Sequence, residues 1–153
     1  MANTYTQILV QIVFAVNGRQ NLIRDKHREK IEKYICGIIS NNRSKPLAIY
    51  CNPDHCHVLL GLHPSISISE ISGDIKASSS KWINENRWIC GNFSWQEGYG
   101  AFTYSRSQLD VVVQYILNQP EHHRTKSFRE EYLGFLQKFG IEFDEKYLFE
   151  FIE

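Results

Sequence analysis

Apolar positions along the chain fall into alternating strand-length runs and helical spacings. Tyr5 to Val16 mixes Ile8, Leu9, Val10, Ile12, Val13 and Phe14 with Thr6, Gln7 and Gln11, and predicts a first strand over 5–16. From Asp25 to Asn41, Ile31, Tyr34, Ile35, Ile38 and Ile39 recur at three- and four-residue steps, the stripe of a helix with one buried face. Pro46 to Cys51 predicts a second strand, turned by Asn52-Pro53-Asp54 into a third from His55 to Leu62, and the two make an antiparallel hairpin. Ser67-Ile68-Ser69-Glu70 has the spacing of a capping box, opening a helix that runs to about Asn86. Trp95 to Ser105 reads as a last strand or strand pair, with Gly98 and Gly100 marking a bend or a close backbone approach. Leu109, Val112, Val113, Ile116 and Leu117 return to helical steps, with Asp110 in the first turn. Pro120 lacks an amide donor and disfavours helix in the residue before it, so a break is expected near Gln119. A further helix starts at about Pro120 or Ser127, runs to Lys138 and ends with Gly140 as its cap. The order β-α-β-β-α-β followed by helices predicts an α+β, ferredoxin-like antiparallel sheet. Helices cover one face, and C-terminal helices are added. Without repeats or low-complexity linkers, residues 1–153 read as one domain.

Two places in this pattern carry chemistry. His55 and His57 are two apart on a predicted strand, so both rings project from one face, with Cα atoms about 7 Å apart. That spacing lets them share one ion, while Cys56 turns to the opposite face and a core. By itself a His-x-His pair occurs by chance and is weak evidence for a metal. Tyr115 and Gln119 are four apart and share a helix face. Alone, they read as a half-buried tyrosine and a solvated glutamine.

Taken with their surroundings, these residues resemble the small single-tyrosine HUH transposases of the insertion-sequence-200 type, named for a histidine, a hydrophobic residue and a histidine. The resemblance runs from Tyr5–Ala15 through Pro53-Asp54-His55-Cys56-His57 and Ile75-Lys76-Ala77-Ser78-Ser79-Ser80-Lys81-Trp82. It continues through Trp95-Gln96-Glu97-Gly98-Tyr99-Gly100-Ala101-Phe102 and Tyr115-Ile116-Leu117-Asn118-Gln119 to His122-His123. It implies that His55, His57 and Gln119 ligate a divalent metal, Mg²⁺ or Mn²⁺, and that Tyr115 is the nucleophile. It further implies single-stranded DNA as partner, recognised as a hairpin near an element's end, cleaved and rejoined through a 5′-phosphotyrosine. A homodimer is implied as well, with the tyrosine helix of one subunit able to complete the other's site in trans. Two other readings stay open: a replication or mobilisation nickase with the same chemistry, and a non-catalytic module that binds single strands.

Net charge is formally zero, which changes the picture only once it is divided along the chain. Residues 130–153 hold seven acidic and two basic side chains, net −5, leaving 1–129 at +5. A basic body with an acidic tail suits a nucleic-acid partner better than the total suggests. Candidate phosphate contacts are Arg24, Lys26 and Arg28, then Lys76 and Lys81, then Arg124. Among the twenty aromatic residues, Trp95, Tyr99 and Phe102 are candidate base-stacking surfaces. Cys36, Cys51, Cys56 and Cys90 show neither CxxC spacing nor a disulfide framework. No run approaches the roughly 20 apolar residues of a membrane span, and the opening run lacks a basic leader. These features predict a reduced, cytoplasmic protein, and the resemblance implies a prokaryotic cell and association with the nucleoid when bound to DNA.

Overall fold

In the computed structural model, residues 3–144 and Leu148 are described, so Glu145, Lys146, Glu150 and Glu153 of the acidic tail lie outside the described residues. Strand β1 (Leu9–Ala15) is one of the sheet's two inner members. It pairs antiparallel with β3 (His55–Gly61) on one side and β4 (Gly100–Tyr104) on the other. Strand β2 (Lys45–Cys51) pairs antiparallel with the outer edge of β3, giving the order β2-β3-β1-β4. Every residue of β1 is buried, because helices cover both faces of the sheet. The strand is shorter than the predicted 5–16, and Tyr5 is 89% exposed. The predicted final strand also contracts: Trp95 makes only an isolated bridge to Val16, and continuous pairing begins at Gly100. Between them the chain turns at Gly98, whose φ of 83° lies in the left-handed region that suits glycine.

Helix α1 (Asp25–Asn41) and helix α2 (Ile68–Glu85) cover one face. Val10, Ile12, Phe14, Cys56, Val58 and Leu60 meet Ile31, Ile35, Ile39, Ile71, Ile75 and Ile83 there. Tyr34 and Trp82 stack between the helices at 4.3 Å. The predicted capping box opens α2: Ser67 Oγ accepts the Glu70 amide at 3.0 Å, and the Glu70 carboxylate accepts the Ser67 amide at 3.5 Å.

The other face carries the alternate residues and is covered by α3 (Leu109–Leu117), α4 (Gln119–Thr125) and α5 (Phe128–Lys138). Val13, Ala15 and Phe102 pack on Phe128, Tyr132 and Leu136, while Leu59 packs on Val112 and Ile116. The break near Gln119 is present, with Asn118 between α3 and α4 and Pro120 in the first turn of α4. Ser127 then caps a separate α5, its Oγ accepting the Glu130 amide at 3.2 Å. Gly140, at φ 64°, ends α5 in a left-handed cap closed by Ile141 N–H to Leu136 O at 2.9 Å and Gly140 N–H to Gln137 O at 3.1 Å. Where β4 meets α5 there is no room for a side chain: a Cβ on Gly100 would lie 2.7 Å from the Tyr132 hydroxyl. Among the described residues, no helix is long and apolar enough to cross a membrane.

Candidate active site

Strand alternation places His55 and His57 on the face covered by α3–α5, with ring centroids 5.2 Å apart and exposures of 1% and 0%. Cys56 points the other way into the α1–α2 core, its Sγ 3.0 Å from that of Cys51. A buried imidazole needs partners for both nitrogens. His55 Nδ1 lies 2.7 Å from Asp54 Oδ1, and its Nε2 lies 3.1 Å from the Asn52 amide nitrogen. A carboxylate can only accept, so Asp54 holds the proton on Nδ1 and leaves an Nε2 lone pair suited to a cation. His57 is held differently. Its Nδ1 lies 2.8 Å from Gln11 Nε2, and its Nε2 meets Glu131 Oε1 at 2.9 Å. Gln11 comes from β1, and its Oε1 accepts the Tyr104 hydroxyl at 2.7 Å. With an amide nitrogen facing Nδ1, the His57 proton sits on Nε2 and is donated to Glu131.

Glu131, on α5 and 6% exposed, is the centre of the cluster. It accepts from His57, from Gln119 Nε2 at 3.1 Å and from the Tyr115 hydroxyl. His55 Nε2 and His123 Nε2 lie 3.5 and 3.4 Å from the same carboxylate. Gln119 Oε1 in turn accepts from Asn52 Nδ2 at 3.1 Å and meets His123 Nε2 at 2.9 Å. Donor atoms of His55, His57, His123 and Glu131 all lie within 4.8 Å of one another, a spacing that one metal ion could bridge. Once the His57 Nε2 proton is released on binding, three imidazoles, a carboxylate and the adjoining Gln119 oxygen fit a divalent cation, and their nitrogen content favours Mn²⁺ or a later transition metal over Mg²⁺.

Electrostatics follow from this burial. Burial alone would raise the Glu131 carboxyl, but His57, His123 and His55 outweigh it and hold the group well below the usual carboxylate range. Burial pushes the Tyr115 phenol up, and the Glu131 charge pushes it further, so the phenol keeps its proton. His57 is lowered by burial, whereas at His55 the opposing pull of Asp54 and Glu131 overcomes burial and raises it.

The four residues expected to form the site thus converge: His55, His57, Tyr115 and Gln119 all touch or border Glu131. The candidate DNA contacts do not gather there. Trp95 is corrected from a base-stacking surface to a core residue: it is 8% exposed, packs edge-on against Phe14 and Phe93, and donates its indole N–H to Ser79 Oγ. Phe102 is likewise buried. Tyr99 is exposed, with the Lys76 ammonium 5.7 Å from its ring centroid. Lys76 itself donates to the carbonyls of Gln96 and Gly98, fastening the loop before β4. Arg28 pairs with Asp25 and Glu32 and lies over the Tyr50 ring, a role within the fold. Arg24, Lys26 and Lys81 are exposed on the α1–α2 side, and Arg124 is exposed beside Glu121.

Glu131, His123, Gln11, Asp54 and Asn52 were not expected as members of this cluster. His123 is four residues past Gln119, the one helical spacing that points to it. Glu131 has no local signal and looks like one more acidic residue of the C-terminal region.

Comparison with known proteins agrees with the geometry. The family model described as "Transposase IS200 like" matches residues 4–119. A proposed transposase from Deinococcus radiodurans R1 has a similar structure, with a TM-score of 0.61 and 22% identity over 78% of this chain and 96% of that one. A REP-associated tyrosine transposase bound to a REP hairpin has a TM-score of 0.59 and 16% identity over 80% of this chain and 73% of that one. No curated protein sequence matches the chain. At these identities the structures speak to the fold, whereas the sequence family covers strands, histidine pair, tyrosine and glutamine together: the chain belongs to the IS200-like transposase family.

Proposed function

We propose that this protein cleaves and rejoins single-stranded DNA at the ends of an insertion sequence, with Tyr115 as nucleophile. The observation that carries this is the convergence of the Tyr115 hydroxyl, His57 and Gln119 on one buried carboxylate, with His55 beside it. The Tyr115 oxygen forms a bond to the scissile phosphorus as the bond from phosphorus to the 3′ oxygen breaks. The phenolic proton ends, in net terms, on the departing 3′ hydroxyl. The product is a 5′-phosphotyrosine, and because one phosphodiester replaces another, a 3′ hydroxyl can reverse the step and join strands without a nucleoside triphosphate.

His55, His57 and Gln119 would hold a divalent ion, Mn²⁺ or Mg²⁺, with Glu131 and His123 in the same donor set. Bound there, the ion would neutralise phosphate charge and act as a Lewis acid. Asp54 and Asn52 orient His55, Gln11 orients His57, and Glu131 holds the Tyr115 hydroxyl at the cluster. That last contact is the cis arrangement; a tyrosine helix exchanged between subunits would make the same contact in trans. A folded DNA end is the favoured partner, supported by the hairpin bound to the related structure.

The test is incubation with Mn²⁺ and single-stranded DNA from the gene's flanks, resolved on a denaturing gel. Wild type should form a covalent protein–DNA adduct. Tyr115→Phe should form none while still binding the strand; an undiminished adduct from that variant would refute the assignment.

A further inference from the structure

Two of the four free cysteines meet behind the histidine strand, on the face of the sheet away from the donor cluster. Cys51 ends β2, Cys56 follows His55 on β3, and the two are direct partners in the antiparallel register. One step nearer the turn, the Asn52 amide donates to the His55 carbonyl at 2.8 Å, which makes Asn52 and His55 a hydrogen-bonded pair. Cys51 and Cys56 are therefore a non-hydrogen-bonded pair, the kind whose Cα atoms approach to about 4.5 Å. The Cys51 amide accordingly turns outward and donates to Glu32 Oε2 at 2.9 Å. Both side chains enter the α1–α2 core, with exposures of 1% and 0%. Their sulfur atoms lie 3.0 Å apart, closer than the roughly 3.5–4.0 Å of ordinary carbon contacts.

A disulfide needs Cα atoms about 4.4–6.8 Å apart and side chains directed at each other. Cross-strand partners of this kind meet both conditions. We propose that Cys51 and Cys56 are a redox-active pair, oxidised by hydrogen peroxide to a disulfide that ties β2 to β3 and weakens metal binding at His55 and His57. The second effect rests on the reading of the donor cluster as a metal site, whereas the bond itself does not. One sulfur attacks the peroxide, the O–O bond breaks, and the sulfur keeps a hydroxyl while the first water leaves. The other sulfur displaces that hydroxyl as a second water and forms the S–S bond. In sum, two thiols and one peroxide give one disulfide and two waters, the sulfurs being oxidised and the peroxide oxygens reduced.

Strand alternation couples the pair to the site. Cys56 stands between His55 and His57, with its side chain on one face of the sheet and theirs on the other. A bond of about 2.05 Å requires the sulfur atoms, now 3.0 Å apart, to close by roughly 1 Å. Cys56 is wholly buried in the core, so part of that movement passes to its backbone and to the histidines on either side. Binding constellations tolerate displacements of only about 0.5 Å. Burial also pushes the Cys56 thiol up, which makes the pair slow to oxidise and suits it to excess rather than ambient peroxide. Cys36, half-buried on α1 one turn beyond Glu32, is the rival partner, and Cys90 is exposed.

The experiment treats wild type with hydrogen peroxide, removes the peroxide, and divides the sample. One portion is alkylated with iodoacetamide in denaturant and digested with trypsin. The peptide 44–76 contains Cys51 and Cys56 and no other cysteine. After peroxide it should carry no alkyl group and weigh two hydrogens less than the dithiol, and dithiothreitol before alkylation should restore both groups. The other portion is titrated with Mn²⁺, followed by the electron-spin-resonance signal of the free ion. Affinity should fall on the order of tenfold and recover after reduction. Cys51→Ala should abolish both effects, whereas Cys36→Ser and Cys90→Ser should keep both. Full alkylation after peroxide, linkage to Cys36, an unchanged Mn²⁺ affinity in the disulfide form, or an equal loss of affinity in Cys51→Ala would each overturn the proposal. Reduced wild type that binds no Mn²⁺ would instead sink the metal reading, and the peptide masses would still decide the bond.

Discussion

At the scale of single residues, the site is organised by one carboxylate on α5 that two other helices and a strand all reach. Replacing Glu131 by Gln keeps its shape and removes its charge. Mn²⁺ binding, followed by the electron-spin-resonance signal of the free ion, should weaken by on the order of tenfold or more in Glu131→Gln, as when partners of metal ligands are lost. Unchanged affinity would place Glu131 outside the donor set. Tyr104 supplies a pH dependence. Burial pushes its phenol up to about 12 from an ordinary 10, so the fold favours the neutral form that donates to Gln11. A raised value contributes stability that is complete below about 10 and is lost as pH rises through about 12. The thermal midpoint should accordingly hold from neutral pH to about 10 and fall beyond it, with a shallower fall in Tyr104→Phe. An identical alkaline profile in that variant would show that this phenol does not contribute.

At the scale of elements, two joints position the cluster. The Ser67 cap fixes the start of α2 on the face away from the site, and Ser67→Ala should cost about 1 kcal/mol in denaturant unfolding without altering Mn²⁺ binding. The approach of β4 to α5 is the opposite case. A methyl group at Gly100 would collide with the Tyr132 ring and hydroxyl, next in sequence to Glu131. Gly100→Ala should cost roughly 1–3 kcal/mol by overpacking and, by shifting α5, should also weaken Mn²⁺ binding. Destabilisation with unaltered metal affinity would mean that α5 moves without carrying Glu131 away. Much of this layer was legible locally. The α1 stripe, the hairpin turn, the capping box, the proline break and the Gly140 cap each arise from neighbouring residues. The missed boundary, a final strand starting at Gly100 rather than Trp95, arose because Trp95 has strand-like character but is drawn into the aromatic contact with Phe14 and Phe93.

At the scale of the whole molecule, helices on both faces divide the sheet into a structural side and a chemical side. Most of the basic side chains expected to meet DNA lie with α1 and α2, away from the face that carries the histidines. Cis and trans action of Tyr115 make opposite predictions, and cis action predicts the following. Mixing Tyr115→Phe with a His57→Ala variant, each inactive alone, should restore no adduct. Recovery of a substantial fraction of wild-type adduct would establish exchange of the tyrosine helix between subunits.

What the chain's order of residues determined was everything that depends on a short period. A two-residue repeat on a strand puts His55 and His57 on one face and Cys56 on the other, and a four-residue step brings Gln119 beneath Tyr115. What only the tertiary structure decided was the middle of the site. Glu131 lies 74 positions from His57 and Gln11 lies 46, and neither spacing has a periodicity that could announce the contact. Their meeting depends on how β1 pairs with β3 and how α5 settles against Phe102 and Gly100, which are long-range packing outcomes. The same packing buries the carboxylate among imidazoles, and that surrounding turns an acid of the C-terminal region into the centre of the cluster.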